Sequence, residues 1–270
     1  MYTLRCKLMF KKSLGYDKIL NRNYFIKEVN NYDLNNDKIK HKLNYTLHVV
    51  DNTEYLCNKM NINNENKQVA LIIALLHDIG RLDQVKELNT FREDINNYDH
   101  TTLGVKLLFE NNLIRKFIKT NKYDDIIETA IANHSKYIVN FEKMNKTQIL
   151  HSKIIRDADK IDIMNLVVNL GEIKLSDDNL GVSKKVDESF RNHLSISHKD
   201  KIARNDSIIM MLAFVFDLNF DYSYRYYKDN NYIDLFYSKL KNKDIFSEYI
   251  EIANGYIEGK CKDVRTKIYS

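Results

Sequence analysis

Apolar and polar positions alternate with a helical period along most of this chain. Over 45–60 apolar residues recur on one face, which predicts an amphipathic helix. A polar gap at 61–66 ends it. The stretch 68–77 is strongly apolar and runs to Gly80, read here as a helix C-terminal signal. Residues 82–98 are polar and mixed, which suggests loop with a short helix. His100 opens a helix toward Phe109. The stretch 124–134 places Ile126, Ile127, Ala130 and Ile131 on one face. The longest apolar-periodic segment, 148–170, carries Asp157, Asp159 and Asp162. A charged loop at 175–188 follows, then two or three helices from about Lys199 to the end. Residues 21–42 read as irregular with some helix. Strand signals are weak, and neither an internal repeat nor a low-complexity linker stands out.

Composition agrees with an all-α chain. Among 270 residues there is no proline or tryptophan and there are only seven glycines. Turn-rich sandwiches and barrels need more breakers than that, whereas long helices need few. Apolar residues make up 44%, enough to bury a core. The expected organisation is a partly helical lead-in over 1–40, a core over 41–175, and a helical extension over 176–270 packed on that core.

The charge of +5 is spread along the chain, which suits an anionic ligand and is too small to imply a nucleic-acid protein. Cys6, Cys57 and Cys261 are scattered, with no C-x-x-C pair, and read as reduced thiols of a cytoplasmic protein. The basic start, 1–15, lacks a continuous apolar run and a small-residue cleavage site. The longest apolar run, 208–216, is too short for a bilayer and reads as a buried helix, so no membrane partner is expected. Oligomeric state is not readable.

The strongest local chemistry is Leu75-Leu76-His77-Asp78-Ile79-Gly80-Arg81, an apolar helix ending in adjacent His and Asp. At a helix end both side chains can turn toward one ion, and imidazole nitrogen with carboxylate oxygen suits Fe, Mn, Zn or Co. His48 lies one helix upstream. His100 opens the next helix, His134 closes the one after, and Asp159 sits in Arg156-Asp157-Ala158-Asp159-Lys160-Ile161-Asp162. A bundle can aim side chains from several helices into one cavity.

The order His48, His77-Asp78, His100, His134, Asp159 resembles the HD superfamily, and in particular its members with two extra histidines between the HD pair and the last Asp. The phrases LLHDIGR, DHTTLGVKLL and RDADKIDIM resemble a group of uncharacterised bacterial HD proteins, over about residues 40–240. The resemblance implies an all-α HD-domain helical bundle, with 41–175 as its metal-binding core. It also implies one or two divalent transition metals (Fe, Mn, Co, Ni or Zn, with Mg as an option). His48, His77, Asp78 and Asp159 would hold the first, and Asp78 would bridge to a second held by His100 and His134. Families that cleave cyclic dinucleotides carry a second His beside the fourth position and a GYP motif. Here Ser135 follows His134 and no GYP occurs, which speaks against that substrate class.

The chemistry implied is hydrolysis of a phosphate ester or anhydride, a nucleotide first among the candidates, by water whose pKa a metal lowers from about 15.7 to about 7. Asp78, Arg81 and Lys160 are the residues expected to act, the two cations by neutralising charge on phosphorus. The alternatives are a di-iron HD-type oxygenase and a non-catalytic nucleotide-sensing module. His41, His151, His193 and His198 are read as surface or satisfied core. Asp157 is expected to pair with Arg or Lys, and Asp162 to support the site or lie exposed. The tyrosines Tyr222, Tyr224, Tyr226 and Tyr227 are expected to pack rather than stack on bases.

Overall fold

The computed structural model describes residues 18–92, 98–171, 175 and 177–268. Residues 1–17 and 93–97 lie outside the described residues, and with them the basic start and part of the stretch 82–98, whose first residues belong to a helix. The chain is all-α, with no strand among the described residues. The helices are α1 (Lys18–Val29), α2 (Asp37–Lys59), α3 (Asn64–Leu76), α4 (Ile79–Leu88), α5 (His100–Val105), α6 (Asp124–Asn133), α7 (Lys146–Asn165), α8 (Lys184–Arg191), α9 (Asp206–Leu212), α10 (Asp221–Asp229), α11 (Tyr232–Ser238) and α12 (Lys243–Ile268). Wider π turns extend α5 over Lys106–Glu110 and α7 over Leu166–Leu170. None of these helices is long and apolar enough to cross a membrane. The chain divides into two compact units, one of Met1–Lys136 with Asn140–Arg156, the other of Tyr137–Val139 with Asp157–Ser270.

The first unit is built around α3. Every residue from Val69 to Leu76 is buried, so this helix is apolar on all sides and serves as the centre against which α1, α2 and α6 pack. Its start is capped by Asn63, whose side chain accepts from the Asn66 N–H at 2.9 Å. Asn36 caps α2 through the Lys38 N–H in the same way. Asp99 caps α5 by accepting from the Thr101 N–H at 2.9 Å and from the hydroxyls of Thr101 and Thr102.

Sparse glycine does not leave the chain without turns, because asparagine takes its place. Asn61, Asn89, Asn112 and Asn231 all have positive φ. Asparagine tolerates this region better than other side chains.

Gly80 has a different role from the helix stop that its position suggests. The break falls earlier, at His77 and Asp78, and Gly80 sits inside α4. There it lets two backbones touch: a Cβ on Gly80 would lie 2.2 Å from the His100 carbonyl oxygen and 2.8 Å from the Gly104 nitrogen. Gly104, facing it across the α4–α5 contact, has ordinary contacts of 3.5 Å. Gly80→Ala is expected to cost about 3 kcal/mol, at the upper end of overpacking penalties, and to displace His100. Gly104→Ala should change stability by under about 1 kcal/mol, the size of the Gly-to-Ala helix gain. Urea unfolding of the two variants checks the contrast.

His151 is a buried core residue of the first unit, its Nε2 3.1 Å from the Asn66 side-chain oxygen. Burial pushes its imidazole down from 6.5 to about 4. Because the folded value lies below the unfolded one, stability is full above about 6.5. It falls as the pH drops toward 4, where the unfolded chain takes a proton that the native state does not. The loss amounts to roughly 3 kcal/mol at 1.36 kcal/mol per unit. His151→Gln should flatten the stability profile between pH 6.5 and 4, measured by urea unfolding in chelator.

The second unit packs α8, α9, α10 and α11 around α12, with Phe190, Leu212, Tyr227, Tyr232, Phe236 and Phe246 in its core. Two buried carboxylates tie its loops. Asp206 accepts from the N–H groups of Ser183, Ile202 and Ala203 and from the Ser183 hydroxyl. Asp157 accepts from Asn219, Phe220 and Ser223, so it joins backbone amides and a hydroxyl rather than Arg or Lys. Asp162 is buried, which removes the exposed reading. Tyr224 and Tyr227 are buried and donate to the carbonyls of Leu218 and Lys160. His193 and His198 are exposed.

Candidate metal centre

The centre forms where α3 ends and α4 begins. His77 is the last residue with helical geometry, and Asp78, at φ −106° and ψ 18°, turns the chain into α4. That turn brings both side chains to one side of the break. His100, the first residue of α5, and His134, which closes α6, meet them there. All four are buried.

Ligand atoms of His77, Asp78 and His134 lie within 4.8 Å of one another. The Asp78 Oδ1 is 3.3 Å from the His100 Nε2 and 3.5 Å from the His134 Nε2; the Oδ2 is 3.6 Å from the His77 Nε2. The His100 and His134 Nε2 atoms are 3.2 Å apart. The histidine tautomers follow from the backbone. His77 Nδ1 lies 2.7 Å from the Ala74 carbonyl and His134 Nδ1 lies 2.8 Å from the Ile131 carbonyl. A carbonyl can only accept, so each Nδ1 carries the proton and each Nε2 keeps its lone pair toward the cluster. Imidazole orientation by a hydrogen bond on the far nitrogen is how metal-binding histidines are held. Buried imidazole lone pairs converging on one carboxylate therefore fit a divalent transition metal.

Electrostatics keep that carboxylate ionised. Burial alone would push the Asp78 carboxyl up. The Lys42 ammonium is the first charge that outweighs it, joined by His77, His134 and His100 when their Nε2 atoms are also protonated, and Asp78 is held well below the usual carboxylate range.

The other expected site residues lie as follows. His48 is half-buried on α2 and is not part of the three-residue group. On the same helix Tyr45 places its ring 6.1 Å from that of His77. Asp159 and Lys160 belong to the second unit, where Lys160 pairs with Asp217 at 2.8 Å. Arg81 donates to the Gln84 side chain at 2.8 Å and the Phe91 carbonyl at 3.0 Å; its Nε is 3.8 Å from Asp78 Oδ1.

Two residues at the centre escaped the reading of the chain. Lys42 places its ammonium 2.5 Å from Asp78 Oδ2. The available signal was its position between Ile39 and Tyr45 at spacings of three, a lysine in line with the buried stripe of α2. Arg156 is buried and donates through one nitrogen to the carbonyls of Asn133, His134 and Lys136 at 2.9, 3.1 and 2.7 Å. It satisfies the carbonyls left open where α6 ends and so steadies the backbone of His134.

Residues 45–164 match the family model for the HD domain. No curated protein and no solved structure matches the chain. HD domains bind divalent metals and are commonly metal-dependent phosphohydrolases. The family match and the buried His77–Asp78–His134 cluster lie in the same stretch, so residues 45–164 of this chain both match the HD domain and hold residues able to bind a metal ion.

Proposed function

We propose that this protein is a metal-dependent phosphohydrolase that cleaves a phosphate ester or anhydride, with a nucleotide as the leading substrate class. The observation that carries the reading is the convergence of three imidazole Nε2 atoms on the ionised Asp78. Asp78, His77, His100 and His134 hold the metal in this reading, with Asp78 shared between two positions if two ions bind. His48, Asp159 and a cationic role for Lys160 rest on the resemblance to HD proteins. The bound metal would supply a Lewis acid and a water of lowered pKa. The chain's own residues do the rest. Burial of the cluster strengthens its electrostatics. The far-side hydrogen bonds of His77 and His134 fix ligand direction. Arg81, braced by Gln84 and Phe91, sets a guanidinium beside Asp78 Oδ1 and stands ready for a phosphate oxygen.

The test is metal content by mass spectrometry together with phosphate release from a panel of nucleotides and phosphate esters, in protein loaded with Mn, Fe, Co or Ni. Bound metal and release from at least one substrate support the reading. Metal-loaded protein that releases no phosphate from any panel member would remove it, and substrate-dependent oxygen uptake by the same samples would put an oxygenase in its place.

A further inference from the structure

We propose that Lys42 is the residue that receives an anionic oxygen of the substrate at this centre; the proposal rests on the phosphohydrolase reading above. The argument starts from what the ammonium has and lacks. A lysine ammonium carries three N–H donors. Among the described residues Lys42 has one hydrogen-bond acceptor, Asp78 Oδ2 at 2.5 Å. Its other neighbours are the ring faces of Tyr45 and Phe91, 4.0 and 5.3 Å from the nitrogen. Those faces attract a cation but offer it no lone pair of the carbonyl or carboxylate kind. The side chain is only 12% exposed. Within the described residues two donors on a largely desolvated cation are thus open to a ligand, and burying such donors without an acceptor is costly.

Position gives this cation its role. The carboxylate it touches is the one whose other oxygen faces His100 and His134. A group bound on the Oδ2 side of Asp78 lies within reach of the ammonium. Of the other two cations considered, Lys160 pairs with Asp217, and Arg81 is braced by Gln84 and the Phe91 carbonyl with its Nε on the Oδ1 side of Asp78. Aromatic faces on the stem hold the ammonium in one place, which limits the side-chain entropy that an anion would otherwise have to overcome on binding. The ligand class is a phosphoryl or similar oxyanion.

Calorimetric titration of Mn-loaded full-length protein with inorganic phosphate tests this, with metal content measured on every sample. Wild type is expected to bind phosphate. Lys42→Met should bind it about tenfold or more weakly at unchanged metal content, the loss expected for one charge-assisted hydrogen bond. Lys42→Arg should recover most of the affinity. Should Lys42→Met fold poorly by circular dichroism, Lys42→Gln, which keeps the chain length, replaces it with the same expected loss. Wild-type affinity in Lys42→Met or Lys42→Gln at full metal content overturns the proposal. So does loss of metal in step with loss of phosphate, which would make Lys42 a support of Asp78 only. Metal-loaded wild type that ignores phosphate overturns the phosphohydrolase reading itself.

Discussion

Asp78→Asn is expected to abolish metal retention and lower any phosphatase activity at least about 100-fold, since even residues standing behind metal ligands cost 10–100-fold when removed. The same change should destabilise the metal-free protein by about 3–5 kcal/mol, because it leaves the Lys42 ammonium buried without its counter-charge. The physical cause predicts its own remedy. Adding Lys42→Met to Asp78→Asn removes the stranded cation, so the double variant should regain most of the stability and none of the metal. Urea unfolding in chelator and metal content on the two variants check both halves. A single variant that keeps its metal would unseat Asp78 as the centre of the cluster. A double variant no more stable than the single would show that the Lys42–Asp78 pair does not govern this corner of the fold.

Asp157→Ala is expected to cost about 3–5 kcal/mol, the largest loss predicted in the second unit. The carboxylate takes the Asn219 N–H on both oxygens, the Asn219 amide at 2.7 Å, the Phe220 N–H at 3.1 Å and the Ser223 hydroxyl at 2.6 Å. These groups stand at the entrance to α10, where the helix has open N–H groups and favours negative charge. Truncation strands two backbone donors at about 1–3 kcal/mol each and removes a cap of about 1 kcal/mol. The hydroxyl and the amide can reorient; the backbone cannot. Burial pushes the Asp157 carboxyl up despite these bonds, so desolvation already offsets part of what the cap contributes. Chemical unfolding is the measurement, and a loss below about 1 kcal/mol would mean that 219–223 is held by packing alone.

Much of this was legible in the chain. Helical period placed α3, α6 and α7 within a few residues of their observed bounds, because each buries one face or, for α3, all of them. The His77-Asp78 pair at an apolar helix end, with His100 and His134 at the ends of later helices, marked the cluster before any contact was known. Helix ends are where side chains leave the regular ladder and can converge. Asp157 was misjudged because a carboxylate's partner depends on which loop returns to it, and residue 219 lies 62 positions away.

The chain by itself determined the helical class, the HD pair, and the residue types of a nitrogen and oxygen cluster able to hold a metal, since period and side-chain chemistry are local properties. Tertiary structure alone decided which donors meet. It set the proton positions on His77 and His134 through the carbonyls of Ala74 and Ile131. It used Gly80 for a close backbone crossing instead of a helix end. It brought Lys42 to Asp78 from 36 residues away. Those outcomes depend on how helices cross, and crossing is fixed by packing between segments that carry no mark of one another in the sequence.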